Sequence, residues 1–357
     1  MLERKQLVAM MKAAAQATPS TSYSYNGEQL TSAALNQTLR EQFNEIAGTY
    51  ELYRENKNLI FSLVEQTVND ILPTQINNAY GQFAEVRTFA QGDTAIFTRK
   101  VGRQRAKQFI TRVGLAGVYE VFKLGETNYE VKTNAIGGAA QIGFEEFLDG
   151  RADFAEVTQI VMEGMNELIY REIAAALMAS INQLPSANRV ATNGFDENGM
   201  DRLISVASAY GSPTIYCTRE FAVKMVPADG WISDEMRNQR WNVGYLANYK
   251  GVPVVILPQS FTDETNARKI IDPGYAWVIP NGGENKPVKV AFEGTAHMRE
   301  RENEDWSRDM QVYQKVGVGV VMTNNLCSYV DEELKGHLDT IETDTAPVVE
   351  PTTPEEP

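Results

Sequence analysis

Cysteine and histidine are scarce. Cys217 and Cys327 stand 110 positions apart, without the close spacing of a metal or redox motif, which excludes a disulfide scaffold and fits free thiols in a reducing compartment. His297 sits in an alternating, strand-like stretch and His337 borders an acidic tail, so neither brings a triad or a ligand pair with it. No run approaches the ~18 uninterrupted apolar residues of a membrane span. At the N-terminus, MLERKQLVAMMKAAAQA has an apolar run that Lys12 interrupts, and it does not read as a secretory signal. The phosphate-cradling pattern G-x-x-x-x-G-K-[ST] is absent, GVG at 317–319 has no helix after it, and NGGENKP (281–287) reads as a turn. No nucleotide, metal or other cofactor is expected.

What the sequence has is acid. The 357 residues carry a formal net charge of -14, with 43% hydrophobic residues, enough to bury a substantial core. The last twenty residues, LDTIETDTAPVVEPTTPEEP, hold six acids, no base and four prolines, and residues 337–357 are expected as an acidic, disordered tail. Without them the remainder keeps an excess of eight acids (14 − 6), which repels polyanions over roughly a Debye length. Against this background RKVGRQRAKQFITR (99–112) stands out, with Arg99, Lys100, Arg103, Arg105, Lys107 and Arg112 and no acid. Phe109 is its lone aromatic, so the stacking platform of a single-strand nucleic-acid binder is missing, and a contact with acidic surface on another copy is the better reading.

Apolar periodicity sets the organisation. Residues 1–35, with the turn-rich TPSTSYSYNGEQLTSAA (18–34), are expected as a flexible N-terminal arm. A helical stretch follows over 36–72, open to division at Gly48 and stopped by Pro73, within a segment 36–94. Residues 95–138 break into short β-prone runs, TAIFTRKVG, KQFITRVG, VYEVFKLG and NYEVKTNAIGG, with GETN (125–128) as a hairpin turn. So few large apolar residues occur here that the hairpin cannot bury both faces in its own subunit, and it is expected to project towards a partner. A long helix over FAEVTQIVMEGMNELIYREIAAALMASINQL, opened by Asp153 and Glu156, carries two apolar stripes and forms a spine within 139–189. A mixed α/β unit spans 190–271, in which WISDEMRNQRW reads as a linker. In 272–336, VKVAFEGTAHMRERE (288–302) and DMQVYQKVGVGVVM (309–322) are expected to pair antiparallel around NEDW. The fold class is α+β.

One cluster invites a catalytic reading. FEEFLDGRAD (144–153) gathers Glu145, Glu146, Asp149 and Asp153, but an acid/base pair needs carboxyls driven apart in pKa by burial. A strand-to-helix junction whose acids favour the helix N-terminus explains them more simply, and no enzyme is expected.

The order arm, helix, extended hairpin, FEEFLDGRADF into a spine helix, inserted α/β unit and closing VAFEGTAHMREREN…DMQVYQKVGVGVVM strands resembles the major capsid protein of tailed bacteriophages, the Hong Kong 97-type capsid fold. The likeness covers roughly residues 36–335. It implies a peripheral domain built from the spine and the long strands, an axial domain over 190–271, and an extended loop over 95–138 lying across a neighbour. The residues it assigns to that contact are Arg99, Lys100, Arg103, Arg105, Lys107, Arg112 and Lys123. Lys123 with Asn324 or Asn325 are the positions at which the isopeptide linkage of the family's type member would fall, with no motif to fix them. It further implies a structural subunit that self-assembles into pentamers and hexamers of an icosahedral head enclosing double-stranded DNA. A portal, a separate scaffolding protein and, in some heads, a decoration protein are the other partners, with assembly in the host cytoplasm and residence in the virion.

Two other readings stay open at this level. An encapsulin-like nanocompartment shell has a similar fold and encloses an enzyme cargo. A nucleic-acid-binding module using residues 99–112 would show steeply salt-dependent affinity.

Overall fold

The computed structural model describes residues 4–15, 22–25, 28–101, 125–142, 154–226, 233–259, 261, 265–266, 269–281, 286–302, 308–321 and 325–336. Three helices open the chain: α1 (Arg4–Ala15), α2 (Ser32–Ala47) and α3 (Tyr50–Tyr80). Between the first two, β1 (Ser22–Tyr25) and β2 (Glu28–Thr31) pair antiparallel. Thr31 Oγ1 accepts from Ala34 N at 3.4 Å and Thr49 Oγ1 from Leu52 N at 3.3 Å, satisfying first-turn donors that each helix leaves unpaired.

Two expectations change here and one left open is decided. The segment read as a flexible arm contains α1, whose Leu7, Val8, Met10 and Met11 are buried in the main core. Their i, i+3, i+4 spacing is that of a helix lying on a partner, and the partner is α3, where Thr67 Oγ1 meets Met11 Sδ at 3.8 Å. The helix over 36–72 is two helices parted at Gly48 and Thr49, as its glycine allowed. Pro73 does not stop the second, which continues to Tyr80. Ile76 and Tyr80 beyond the proline are buried, and packing of that last stretch outweighs the lost backbone bond.

A four-stranded sheet takes the order β3 (Ala84–Phe89), β12 (Val288–Glu302), β13 (Arg308–Val320) and β6 (Asn134–Ile142). The two long strands pair antiparallel as their alternation predicts, and β3 runs parallel to β12. Helix α3 packs on β12, and the long helix α4 (Phe154–Ser180) crosses β13 and β6. Ile169, Ile173, Leu177 and Ile181 of one apolar stripe lie in the main core, as does Met165 of the other, with its Val161 and Leu168 partly buried against it. Between Glu293 and His297 the register of β12 shifts, and the backbone N–H groups past the shift are taken up by α3: Ala296 N donates to Asn69 Oδ1 at 2.6 Å and Met298 N to Glu65 Oε1 at 2.7 Å.

The second sheet has six strands, in the order β7 (Arg189–Thr192), β14 (Cys327–Asp331), β11 (Tyr275–Asn281), β8 (Ser212–Cys217), β10 (Val252–Ile256) and β9 (Asn248–Tyr249). The strands of 272–336 therefore divide between two sheets: β11 and β14 complete the sheet of the mixed unit, and only β12 and β13 form the long pair. Helix α5 (Glu197–Ser208) covers one face, over a core of Met200, Leu203, Ile215, Phe221 and Tyr329. The other face turns Tyr216, Trp277 and Ile279 into the main core. Two short helices follow β8: α6 (Arg219–Lys224) and α7 (Asp234–Val243), the latter beginning inside the stretch read as a linker and running past its end.

The last pair is β4 (Ile96–Val101) and β5 (Gly125–Glu130), antiparallel from Ile96↔Glu130 to Val101↔Gly125. GETN is thus strand rather than turn. Its four residues face Val101, Lys100, Arg99 and Thr98 across the ladder, and the connection between the two strands lies in 102–124.

Candidate inter-subunit surface

The root of the hairpin is built on a small core of its own. Ala95, Phe97, Tyr129 and Val131 pack on Ala291 of β12 and on Val321, with Phe89 meeting Phe97 edge-on at 5.6 Å between ring centres. The first residues of the hairpin thus borrow a face from the four-stranded sheet, and residues 102–124, on which most of the expectation that it cannot bury both faces falls, lie outside the described residues. Arg87 and Lys289 lie over the Phe97 ring at 5.4 and 5.7 Å. Lys289 is buried and pairs with Glu85, its register partner on β3. Burial lowers the Lys289 ammonium, and the Glu85 hydrogen bond and charge work against that.

A carboxylate locks this root. Glu293, at the register shift of β12, accepts from Gly92 N at 3.0 Å, from Lys315 Nζ at 2.9 Å and from the Thr133 hydroxyl. Gly92 lies in the turn entering β4, Thr133 in the link leaving β5, and Lys315 on β13, so one side chain ties both strands of the hairpin to the sheet. The Thr133 hydrogen bond, then the Lys315 and Gly92 bonds, hold the Glu293 carboxyl at about 2. Gly294, at φ 68, lets the backbone turn there, where a β-carbon would be strained and would fall 3.1 Å from Gln91 Cβ. The glycine breaking the alternation of VAFEGTA is the sequence signal for this clasp, and sequence reasoning passed over it.

A second seam joins the two sheets. Tyr80 stacks on Tyr170 at 5.2 Å, and Phe83 meets Tyr216 edge-on at 4.9 Å. Tyr170 donates its hydroxyl to the Pro258 carbonyl, and the Tyr216 hydroxyl lies 3.1 Å from Gln82 Oε1 and 3.0 Å from Asn281 Oδ1. Burial raises the phenols of Tyr80 and Tyr170 and pushes Tyr216 up to about 12, so all three stay neutral. Tyr80 and Phe83 are close in sequence, but Tyr170 and Tyr216, which they meet, lie far along the chain, and no local pattern announces the pairings.

Of the basic residues expected at the contact, Arg99 and Lys100 stand on β4 opposite Thr127 and Glu126. Arg103, Arg105, Lys107, Arg112 and Lys123 lie outside the described residues, as do Glu145, Glu146, Asp149, Asp153, Asn324 and His337. His297 lies tilted against its register partner Tyr313, 5.5 Å between ring centres, and Asn325 is buried. Cys217 and Cys327 are free and buried, their thiols pushed up to about 12. Among the described residues no group of three or more His, Cys, Asp or Glu is placed to hold a metal ion, and no helix is long and apolar enough to cross a membrane.

Two sheets joined by an aromatic seam, a long packed helix and a strand pair clamped to one sheet make up an α+β fold. Residues 8–331 match the family described as "SPbeta prophage-derived putative capsid protein YonB". The match spans most of the chain, and the chain belongs to this family: it is a phage capsid structural protein, not an enzyme. The resemblance to tailed-phage capsid proteins noted in the sequence is borne out.

No curated protein matches the chain. Among solved structures, the capsid of the cyanophage P-SCSP1u aligns with TM-score 0.49 and 11% identity, over 71% of this chain and 87% of that one. The head of Helicobacter pylori bacteriophage KHP40 aligns with TM-score 0.48 and 13% identity, over 72% and 92%. The SrpI encapsulin complex of Synechococcus elongatus PCC 7942 aligns with TM-score 0.41 and 12% identity, over 70% and 86%. The assignment rests on the family match.

Proposed function

We propose that the chain is the major capsid subunit of a tailed phage, assembling into pentamers and hexamers of an icosahedral head around double-stranded DNA. The observation that carries this reading is the family match over residues 8–331, joined to a hairpin whose root Glu293 clamps to the sheet. In this reading the four-stranded sheet and α4 are the peripheral domain, the mixed unit over 190–271 with β11 and β14 is the axial domain, and 95–138 is the loop laid across a neighbour. Arg99, Lys100, Arg103, Arg105, Lys107, Arg112 and Lys123 meet acidic surface on the adjacent copy, for which the net charge of -14 provides ample area. The same charge keeps the inner wall from adhering to packaged DNA. Closed shells of one chain require large obligate interfaces, typically beyond ~2,000 Å² in total, and a projecting loop supplies them with little added core. Assembly takes place in the host cytoplasm on a separate scaffolding protein, with a portal at one vertex and room for a decoration protein outside, and the product is the virion.

Electron microscopy of the protein expressed alone and with its phage's assembly proteins tests the proposal. Icosahedral shells with a resolved hexamer and pentamer lattice, DNA-filled in the virion, are the expected result. Shells that enclose a docked enzyme and lack a portal would move the protein to the compartment class, and a chain that stays monomeric at high concentration in both settings would overturn the reading.

A further inference from the structure

Strand β14 places Ser328 opposite Trp277 of β11, and β11 places Trp277 opposite Tyr216 of β8. Side chains directly across a ladder share one face, their β-carbons about 4.5–5.5 Å apart. Here it is the face turned into the main core, to which Tyr216, Trp277 and Val330 belong. Three polar-tipped side chains therefore form a row across the sheet, and all are buried: Ser328 is 0% exposed, Trp277 1% and Tyr216 2%.

The row is satisfied at one end only. The Tyr216 hydroxyl has Gln82 Oε1 at 3.1 Å and Asn281 Oδ1 at 3.0 Å. At the other end Trp277 Nε1 and Ser328 Oγ have no hydrogen-bond partner among the described residues, and they do not bond each other. A buried indole N–H ordinarily finds an acceptor, and a buried polar group left unmet forfeits the hydration it gave up on folding. Among the described residues these are the one pair of such atoms carried by register partners. Their chemistry is complementary, since the indole only donates while a serine hydroxyl donates once and accepts twice. A molecule that accepts from the first and donates to the second completes both.

We infer that one internal water molecule bridges Trp277 Nε1 and Ser328 Oγ and is a constituent of the folded subunit. Water is the smallest molecule with both a donor and an acceptor, a few polar groups suffice to hold it, and a row this buried offers no open mouth to a larger solute. It accepts from the indole and donates to the hydroxyl, on the inner face of the β11–β14 ladder. β14 lies between β7 and β11 in the six-stranded sheet, so the bridge joins the side chains of two interior strands where that sheet meets the main core. The inference does not rest on the shell reading.

A density map of the full chain at a resolution that shows ordered water, from a crystal or from an assembled particle, tests the bridge. The expected result is a solvent peak within about 2.7–3.2 Å of both Trp277 Nε1 and Ser328 Oγ. The map of Ser328→Ala keeps the fold and loses that peak. Equilibrium unfolding supplies a second reading: Ser328→Ala lowers stability in the wild-type background and has little or no effect in a Trp277→Phe background, where the bridge is already broken. If Trp277→Phe does not fold, the two maps decide alone. A map in which the indole N–H bonds directly to Ser328 Oγ or to a carbonyl, with no solvent peak between, would overturn the inference. So would a peak that touches only one of the two atoms, a peak that persists unchanged in Ser328→Ala, or an equal loss of stability from Ser328→Ala in both backgrounds.

Discussion

Glu293 and Lys315 face each other across β12 and β13, carboxylate Oε1 2.9 Å from ammonium Nζ, at the point where the hairpin leaves the sheet. The pair is one arm of a clasp whose other arms reach Gly92 and Thr133, and it fixes the direction in which the hairpin departs. A shell subunit needs that direction set before it meets a neighbour, because a misaimed arm costs ordering entropy at the moment of contact.

The clasp has a pH signature. Glu293 is held at about 2 from an ordinary value of 4.5, chiefly by the Thr133 hydroxyl and then by Lys315 and Gly92. A depressed carboxyl contributes stability that is fully present above its unfolded pKa and is lost as pH falls through the folded one. Glu293→Gln should therefore unfold at a lower temperature than wild type at pH 7, and the gap should close between about pH 4.5 and pH 2. Thermal unfolding of both proteins across that range, monitored by circular dichroism, checks it.

Two glycines should respond oppositely to alanine. Gly164 is exposed in the interior of α4 and has open space where a β-carbon would go, so Gly164→Ala should stabilise the isolated subunit by about 0.5–1 kcal/mol. At Gly137 a β-carbon would fall 2.4 Å from the Val312 carbonyl and 2.9 Å from Tyr313 Cβ, so Gly137→Ala should destabilise and disturb the β6–β13 ladder. Denaturant titration of the two variants reads both signs.

At the seam between the sheets, Tyr170→Phe keeps the ring on Tyr80 and removes the donor to the Pro258 carbonyl. Loss of one buried hydrogen bond should cost about 1–3 kcal/mol, and Tyr170→Ala, which also removes the stacked ring, about 3–5 kcal/mol. Equilibrium unfolding in urea separates the two.

Neither thiol should react in the folded protein. Cys217 and Cys327 are buried and their pKa values are pushed up to about 12, which leaves almost no thiolate near neutrality. An aromatic disulfide reagent should titrate none in the native subunit and two in denaturant.

The basic stretch gives the sharpest separation of functions. Replacing Arg103, Arg105 and Lys107 by alanine should impair shell assembly while leaving DNA binding negligible before and after. A gel-shift assay at low salt run beside an assembly assay decides it, and salt-dependent DNA affinity lost in the triple variant would favour the nucleic-acid module instead.

Much of the architecture was written locally. The alternation of 288–302 and 309–322 fixed a long antiparallel pair because a period of two leaves one register that buries Val290, Phe292, Val316 and Val318. The stripes of α4 did the same for a helix packed on two sides. Misreadings arose where local signals met tertiary packing. GETN has turn composition, yet it extends because Tyr129 beside it is drawn into the core at the hairpin root. Pro73 is a helix breaker in isolation, yet burial of Ile76 and Tyr80 carries α3 through it.

By itself, then, the sequence determined the class of elements, the acidity of the surface, the absence of nucleotide-binding and paired-cysteine motifs, and the single basic stretch, since these depend on composition and short-range periodicity. The tertiary structure alone decided that β11 and β14 join the sheet of the mixed unit, that Glu293 reaches Gly92 201 positions away, and that Trp241 is left standing in water. Those outcomes follow from which surfaces remain after the core is filled, a global competition for burial that no window of neighbouring residues contains.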